Sequence, residues 1–262
     1  MKLPRYVGRR PRTILVLALA LCPIQVRADI TVTQHGKRGG VAPNEVWTRK
    51  LRIKGLKMRV DALYGKETHI TIYNLETGKR FRLNPQRKEA FVLDLAPLSE
   101  HLRGSVIPKN LARVIHPTGK KTESLGTSCD EYTFDLQAPT APWHGMNAIL
   151  HDTGTVCVSQ NISSGFEFTN FVHEAKKRGY TAAAAVCSPT YSSIGFYFYG
   201  DEPNVMVLSA KTESAFEGGP VFGLQGMTSV ESTMSVTEIN SEPIPDEEFQ
   251  VPADWKIKKD SV

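Results

Sequence analysis

Apolar and polar residues alternate with a period of two along much of the chain, a rhythm that predicts a protein built mainly from β-strands. From Glu45 to Ile53, Trp47, Leu51 and Ile53 share one parity, and Lys50, Arg52 and Lys54 share the other. Met58, Val60 and Ala62 then alternate with Lys57, Arg59 and Asp61. Each run therefore offers one greasy and one charged face. Ile70 and Ile72 alternate with His69, Thr71 and Tyr73, residues 76–79 read as a turn, and Phe81 and Leu83 oppose Arg80 and Arg82. This predicts a hairpin over about residues 68–84. Another strand is expected over residues 88–95, followed by a short helical stretch near residues 97–103.

The second half keeps the style at longer intervals. Tyr132, Phe134 and Leu136 alternate with Glu131, Thr133 and Asp135, and strands are expected around Val156 and Val158, over residues 204–212 and over residues 229–240. One segment departs from the two-residue period: Phe168, Phe171, Val172 and Ala175 recur at helical spacing, predicting an amphipathic helix over residues 166–178. Residues 180–186 read as a further helix with little pattern. Near the C-terminus Pro243 and Pro245 lack the amide donors of a central strand, so the tail is expected to clasp the fold, anchored by Phe249 and Val251.

Charge changes the picture at the N-terminus. Residues 1–28 hold a basic head (Lys2, Arg5, Arg9, Arg10, Arg12), an apolar run from Ile14 to Cys22, and the ending Val26-Arg27-Ala28, the layout of a secretory signal peptide cleaved after Ala28. The apolar run is about half of the roughly 20 residues a helix needs to span a bilayer, so no transmembrane anchor is expected after processing. A periplasmic or secreted location follows. That segment carries 6 of the 32 Lys+Arg and none of the 27 Asp+Glu, leaving 26 basic against 27 acidic side chains and a net charge of about −1. The basic pI of the whole sequence therefore gives no reason to expect nucleic acid as a partner. Residues 29–128 hold 19 basic and 9 acidic side chains, whereas residues 129–262 hold 7 and 18. Such polarity is what an envelope protein-interaction or sensing module would use, and an envelope protein is the alternative partner.

Candidate chemistry is sparse. Cys129, Cys157 and Cys187 remain beyond the leader, and in an oxidising compartment they suggest one disulfide, expected as Cys157–Cys187 with Cys129 as a small buried residue. No Cys-x-x-Cys spacing points to a metal. The chain has no Gly-x-Ser-x-Gly elbow, Walker loop, Gly-x-Gly-x-x-Gly or His-Glu-x-x-His. His173-Glu174 is followed by Lys177 where a second zinc ligand would stand; His144, His151 and Asp152 flank a loop; and the neighbours Asp130 and Glu131 point to opposite faces of a strand. No catalytic residue, metal site or cofactor is assigned, and a non-enzymatic protein is expected. The aromatic run Phe196-Tyr197-Phe198-Tyr199 reads as a strand or core plug, with a lip against an apolar partner as the functional alternative.

Five segments occur in an order that resembles a known family: residues 56–61 (LKMRVD), 72–79 (IYNLETGK) with 83–85 (LNP), 125–132 (LGTSCDEY) and 241–253 (SEPIPDEEFQVPA). Together they resemble the bacterial exported proteins grouped as domain of unknown function 4412, a relative of the lipoprotein-localisation-factor (LolA/RseB-like) superfamily. The resemblance implies a mainly β (α+β) fold: a large curved antiparallel sheet, an open half-barrel, with helices covering its concave face. It implies a single domain over residues 29–262, with an insertion-like region at about residues 138–214. It also implies a lipid or lipoprotein acyl chain, held on a concave apolar face formed by Trp47, Leu51, Ile53, Met58, Val60, Ile70, Ile72, Phe81, Leu83, Tyr132 and Phe134. The competing reading of those residues is a closed core with no cavity.

Overall fold

The computed structural model describes residues 29–39, 45–95, 115–139, 149–160, 162, 165–180, 183, 186–187, 205–217 and 229–259. The leader, the helical stretch near residues 97–103, His144 and the aromatic run at residues 196–199 lie outside them.

Twelve strands form one open sheet: β1 (Ile30–Arg38), β2 (Glu45–Lys54), β3 (Lys57–Tyr64), β4 (Glu67–Asn74), β5 (Lys79–Asn84), β6 (Glu89–Asp94), β7 (Ile115–Ser124), β8 (Thr127–Pro139), β9 (Ile149–Ser159), β10 (Met206–Glu217), β11 (Ser229–Asn240) and β12 (Lys256–Lys259). Their spatial order is β12-β6-β5-β4-β3-β2-β1-β11-β10-β9-β8-β7. The sheet is large, curved and antiparallel, with one exception: β12 adds to β6 in parallel. The chain thus builds one wing outward from β1 to β6, crosses to the far edge at β7, and returns inward until β11 pairs with β1.

Tight turns fix the register. Gly55 and Gly65 carry positive φ at the first position of the loops β2–β3 and β3–β4, where a left-handed backbone matches the twist of the flanking strands. These loops set Leu51 opposite Val60 and Val60 opposite Thr71, which decides the face each later residue occupies. Both free edges are poor templates for another strand: β7 contains Pro117 and exposed Lys120 and Lys121, and every residue of β12 (Lys-Ile-Lys-Lys) is exposed.

Helix α1 (Gly165–Lys177) lies across β1, β2 and β10 on the concave face. Phe168, Phe171, Val172 and Ala175 fall on one stripe and are all fully buried, as their spacing predicts. They belong to one core with Ile30 and Val32 of β1, Leu51 and Ile53 of β2, Met58 and Val60 of β3, and Val156 and Phe134 of the returning wing.

A second, smaller core lies on the reverse face. Ile72, Leu83 and Ala90 are buried there, with Ile70, Phe81, Val251 and Trp255 packed against them. The C-terminal segment supplies this cover, and a short 3-10 helix (Asp246–Phe249) buries Phe249 as its anchor. Polar contacts hold the strap down. The Ile244 amide donates to Asp29 Oδ2 at 2.6 Å, Lys54 Nζ donates to the Ile244 carbonyl at 2.8 Å, and Arg59 pairs with Glu248 at 2.9 Å.

Candidate functional site

The residues expected to line one apolar face do not all share it. Trp47, Leu51, Ile53, Met58, Val60 and Phe134 join the core beneath α1, with Tyr132 packed at its margin. Ile70, Ile72, Phe81 and Leu83 do not: they form the reverse-face core under the C-terminal strap. Register explains the split. Ile72 stands opposite Arg59 and Phe81, and Ile70 opposite Asp61 and Leu83, on the side away from Met58 and Val60. Both faces of β4 are covered, so its greasiest parity serves the strap while Tyr73, assigned from sequence to the wetter side, is buried opposite Met58 on the concave face.

The disulfide is also corrected. Cys129 pairs with Cys157, and Cys187 is free and buried. The β8–β9 register sets Glu131 opposite Cys157, so Cys129 is its diagonal neighbour, and a Cα–Cα distance of 5.5 Å suits a cross-link. Thr122 of β7 donates its hydroxyl toward Cys157 Sγ at 2.8 Å. Cys187 lies instead against Met58, its thiol donating to the thioether at 3.5 Å, and burial pushes the thiol's pKa upward. A buried thiol of that kind is unreactive.

The concave face is not uniformly greasy. Arg49 shares its parity with Trp47 and Leu51, which was the available sequence signal for it. Its guanidinium lies 4.3 Å from the Trp47 ring centroid and its Nε donates to the Tyr64 hydroxyl at 3.2 Å. Tyr64 meets His69 edge-on at 5.6 Å. Directly across from Arg49 on β1 stands Gln34, only 1% exposed, whose Oε1 has no hydrogen-bond partner among the described residues. Nothing in the sequence marks Gln34, because a glutamine in a strand usually faces water. Burial pushes the pKa of Tyr73 up to about 12, against the opposing pull of Arg80. On the returning wing Asp152 is fully buried and accepts a hydrogen bond from Ser214 Oγ at 2.8 Å.

Two hydroxyls lie beside a base, Ser214 on Asp152 and Thr48 at 3.2 Å from His35 Nδ1, but the pairs singled out from the sequence do not converge. His151 and Asp152 are consecutive on β9, so their side chains leave the strand on opposite faces. Asp130 and Glu131 separate in the same way on β8, each facing a β7 lysine: Lys121 to Asp130 at 3.3 Å and Lys120 to Glu131 at 3.6 Å. Among the described residues no group of three or more His, Cys, Asp or Glu side chains could hold a metal ion. What the face offers is an apolar floor, a helical roof, and a few buried hydrogen-bonding groups.

The charged face predicted from Lys50, Arg52, Lys54, Lys57 and Arg59 is partly neutralised: Arg52, Lys54 and Arg59 are ion-paired, whereas Lys50 and Lys57 form no ion pair among the described residues. Arg52 and Arg59 both pair with Asp61, Arg59 also with Glu248, and Lys54 with Asp246 at 3.2 Å and Asp29 at 3.7 Å. Two of these pairs, Lys54–Asp246 and Arg59–Glu248, join the basic first half to the acidic tail.

No family model matches the chain, so the likeness to domain of unknown function 4412 is not confirmed, and no curated protein matches. Solved structures that it resembles include an uncharacterized conserved protein from Thermus thermophilus, with 8% identity over 90% of this chain and 92% of that one, at a TM-score of 0.39. PNGF-II aligns with 10% identity over 89% of this chain but 31% of its own, at a TM-score of 0.36. A LolA superfamily protein from Nitrosomonas europaea aligns with 9% identity over 86% of this chain and 91% of that one, at a TM-score of 0.29. At these values no function is carried across.

Proposed function

We propose that this chain is an exported, non-enzymatic binding protein that takes an apolar ligand, a lipid or acyl chain, between the concave face of the sheet and helix α1. The observation that carries the reading is the contact between roof and floor. Phe168, Phe171 and Val172 join Val32, Leu51 and Met58 in one apolar core, yet that face also buries the Gln34 carboxamide, whose Oε1 has no hydrogen-bond partner among the described residues. A buried polar group without a partner costs about 1–3 kcal/mol, which a core serving stability alone would shed. A ligand entering along the floor displaces apolar contacts with apolar contacts, so the exchange has a small net cost.

Export is supported by the Cys129–Cys157 cross-link, since such bonds persist in oxidising compartments. The partial neutralisation of the outer face leaves fewer free cations for a partner captured through its basic strands. The test is extraction: mature protein purified without detergent is treated with organic solvent and the extract examined by mass spectrometry. A stoichiometric lipid or acyl species is expected. Repeatedly empty extracts, together with no uptake of added lipid, would leave only the closed-core reading.

A further inference from the structure

Gln34 and Arg49 are directly opposed on neighbouring strands, β1 and β2, and both lie on the concave side: their neighbours two residues away, Val32 and Leu51, are themselves opposed and fully buried. Side chains so placed have Cβ atoms about 5 Å apart, close enough to grip one small group together. Three observations set this pair apart. Gln34 is 1% exposed and its Oε1 has no hydrogen-bond partner among the described residues. The Arg49 guanidinium has no carboxylate within ion-pairing distance among the described residues, in contrast to Arg52 and Arg59 on the reverse face, which share Asp61. And Arg49 is held in place from behind, with Trp47 under its plane at 4.3 Å and its Nε committed to the Tyr64 hydroxyl at 3.2 Å.

That last constraint matters for recognition. Of the five N–H donors of an arginine, the Nε donor is spent on Tyr64, and the terminal nitrogens are left to meet a planar acceptor. Fixing the guanidinium on Trp47 lowers the ordering cost of using them. A carboxamide can turn about its last bond, so that the Gln34 NH2 takes the place of Oε1 and donates to a neighbouring oxygen. In a desolvated setting the arginine charge acts more strongly on an anion than it would in water.

We propose that Gln34 and Arg49 form the head-group subsite of the concave face, specific for a single-chain amphiphile ending in a carboxylate, whose alkyl chain runs over Val32, Leu51 and Met58. The proposal rests on the apolar-ligand reading given above and adds the polarity of the ligand's end. A carboxylate suits one arginine and one amide: its two oxygens take the terminal guanidinium nitrogens while the Gln34 NH2 donates to one of them. A neutral ester keeps the chain but loses the charge-assisted bonds.

The experiment compares a fluorescent polyene fatty acid with its methyl ester, titrated into mature protein at neutral pH. The wild type is expected to bind the acid on the order of tenfold or more tightly than the ester, the scale of hydrogen bonds to a charged group. Arg49→Gln is expected to bring acid and ester to equal affinity while ester binding persists. Arg49→Lys, which keeps the charge but loses the fork and the stacking, should retain part of the preference and stands in if Arg49→Gln does not fold. Gln34→Leu should weaken the acid and leave the ester unchanged or tighter. Lys50→Gln, on the same strand but the opposite face, is the control that leaves the preference intact. Acid and ester binding equally to the wild type would overturn the head-group subsite and leave the apolar-ligand reading standing. A preference that survives Arg49→Gln would overturn it as well. Failure of both probes to bind would remove the reading on which the proposal rests.

Discussion

Replacing both Cys129 and Cys157 by alanine removes a cross-link that spans 28 residues of sequence. Closing a loop of that length takes about 12 cal/mol/K of chain entropy out of the unfolded state, or roughly 3.6 kcal/mol near room temperature. Both sulfurs are buried, so the alanines add a small packing loss, and Thr122 loses its acceptors. With a urea slope of about 2–3 kcal/mol/M for a domain of this size, the unfolding midpoint should fall by roughly 1–2 M. The assay is urea unfolding followed by far-UV circular dichroism, on the double variant and on reduced wild type, which should shift together. Cys187→Ala is the internal comparison: it truncates a buried thiol that forms no cross-link, so a cost of about 1 kcal/mol is expected and the midpoint should remain sensitive to reductant. A negligible shift on reduction, or peptide mapping that joins Cys157 to Cys187, would refute the pairing and the β8–β9 register behind it.

Three further outcomes are expected. Gly36→Ala would place a Cβ 2.2 Å from Trp47 Cζ2 and 2.5 Å from the Thr233 carbonyl, so it should destabilise by about 3 kcal/mol and perturb tryptophan fluorescence; an unchanged melting temperature would contradict the close approach of β1 to Trp47. Alkaline difference spectroscopy should find a tyrosine that ionises near 12 and disappears in Tyr73→Phe, since neutral Tyr73 contributes fully below its ordinary value and that contribution is lost as pH rises through about 12. At the β6–β12 edge, Lys258 holds Glu89, Lys79 holds Asp94 and Lys88 holds Asp254 below their ordinary carboxylate values. Depressed carboxylates stabilise above their unfolded values and lose that effect as pH falls through the folded ones, so the protection of β12 amides, with intrinsic exchange rates divided out, should fall as pH drops below about 4 before the rest of the sheet loosens. Uniform exchange across the sheet would contradict this.

The strands were legible because most of them keep water on one side. The hairpin expected over residues 68–84 appears as β4 and β5, and the helix expected over residues 166–178 as α1, each within a residue or two. The Pro243–Pro245 tail also clasps the fold through Phe249 and Val251. Which face each strand gives to which core was not legible. Parity separates Ile70 and Ile72 from Tyr73 but carries no label for concave or reverse; only the turns at Gly55 and Gly65, by fixing register, assign them. Edge and mixed strands escaped for local reasons. In β1 the run Ile30, Val32 is broken by Gln34 and Gly36, and in β7 the proline and the glycine of a bulged edge interrupt the pattern. Gln34 and Arg49 were invisible as a pair because they are 15 positions apart, joined only through the β1–β2 ladder.

Trp47 gives the most direct view of the central claim, since it is buried on the floor of the concave face, whereas Trp255 packs on the reverse face. In a Trp143→Phe/Trp255→Phe variant it is the only one of the chain's 3 tryptophans left to report. Titrating that variant with a brominated fatty acid, a contact quencher, should give saturable quenching of Trp47 that an unbrominated competitor reverses. Full Trp47 emission at saturating ligand would contradict the account and identify the concave face as a closed core.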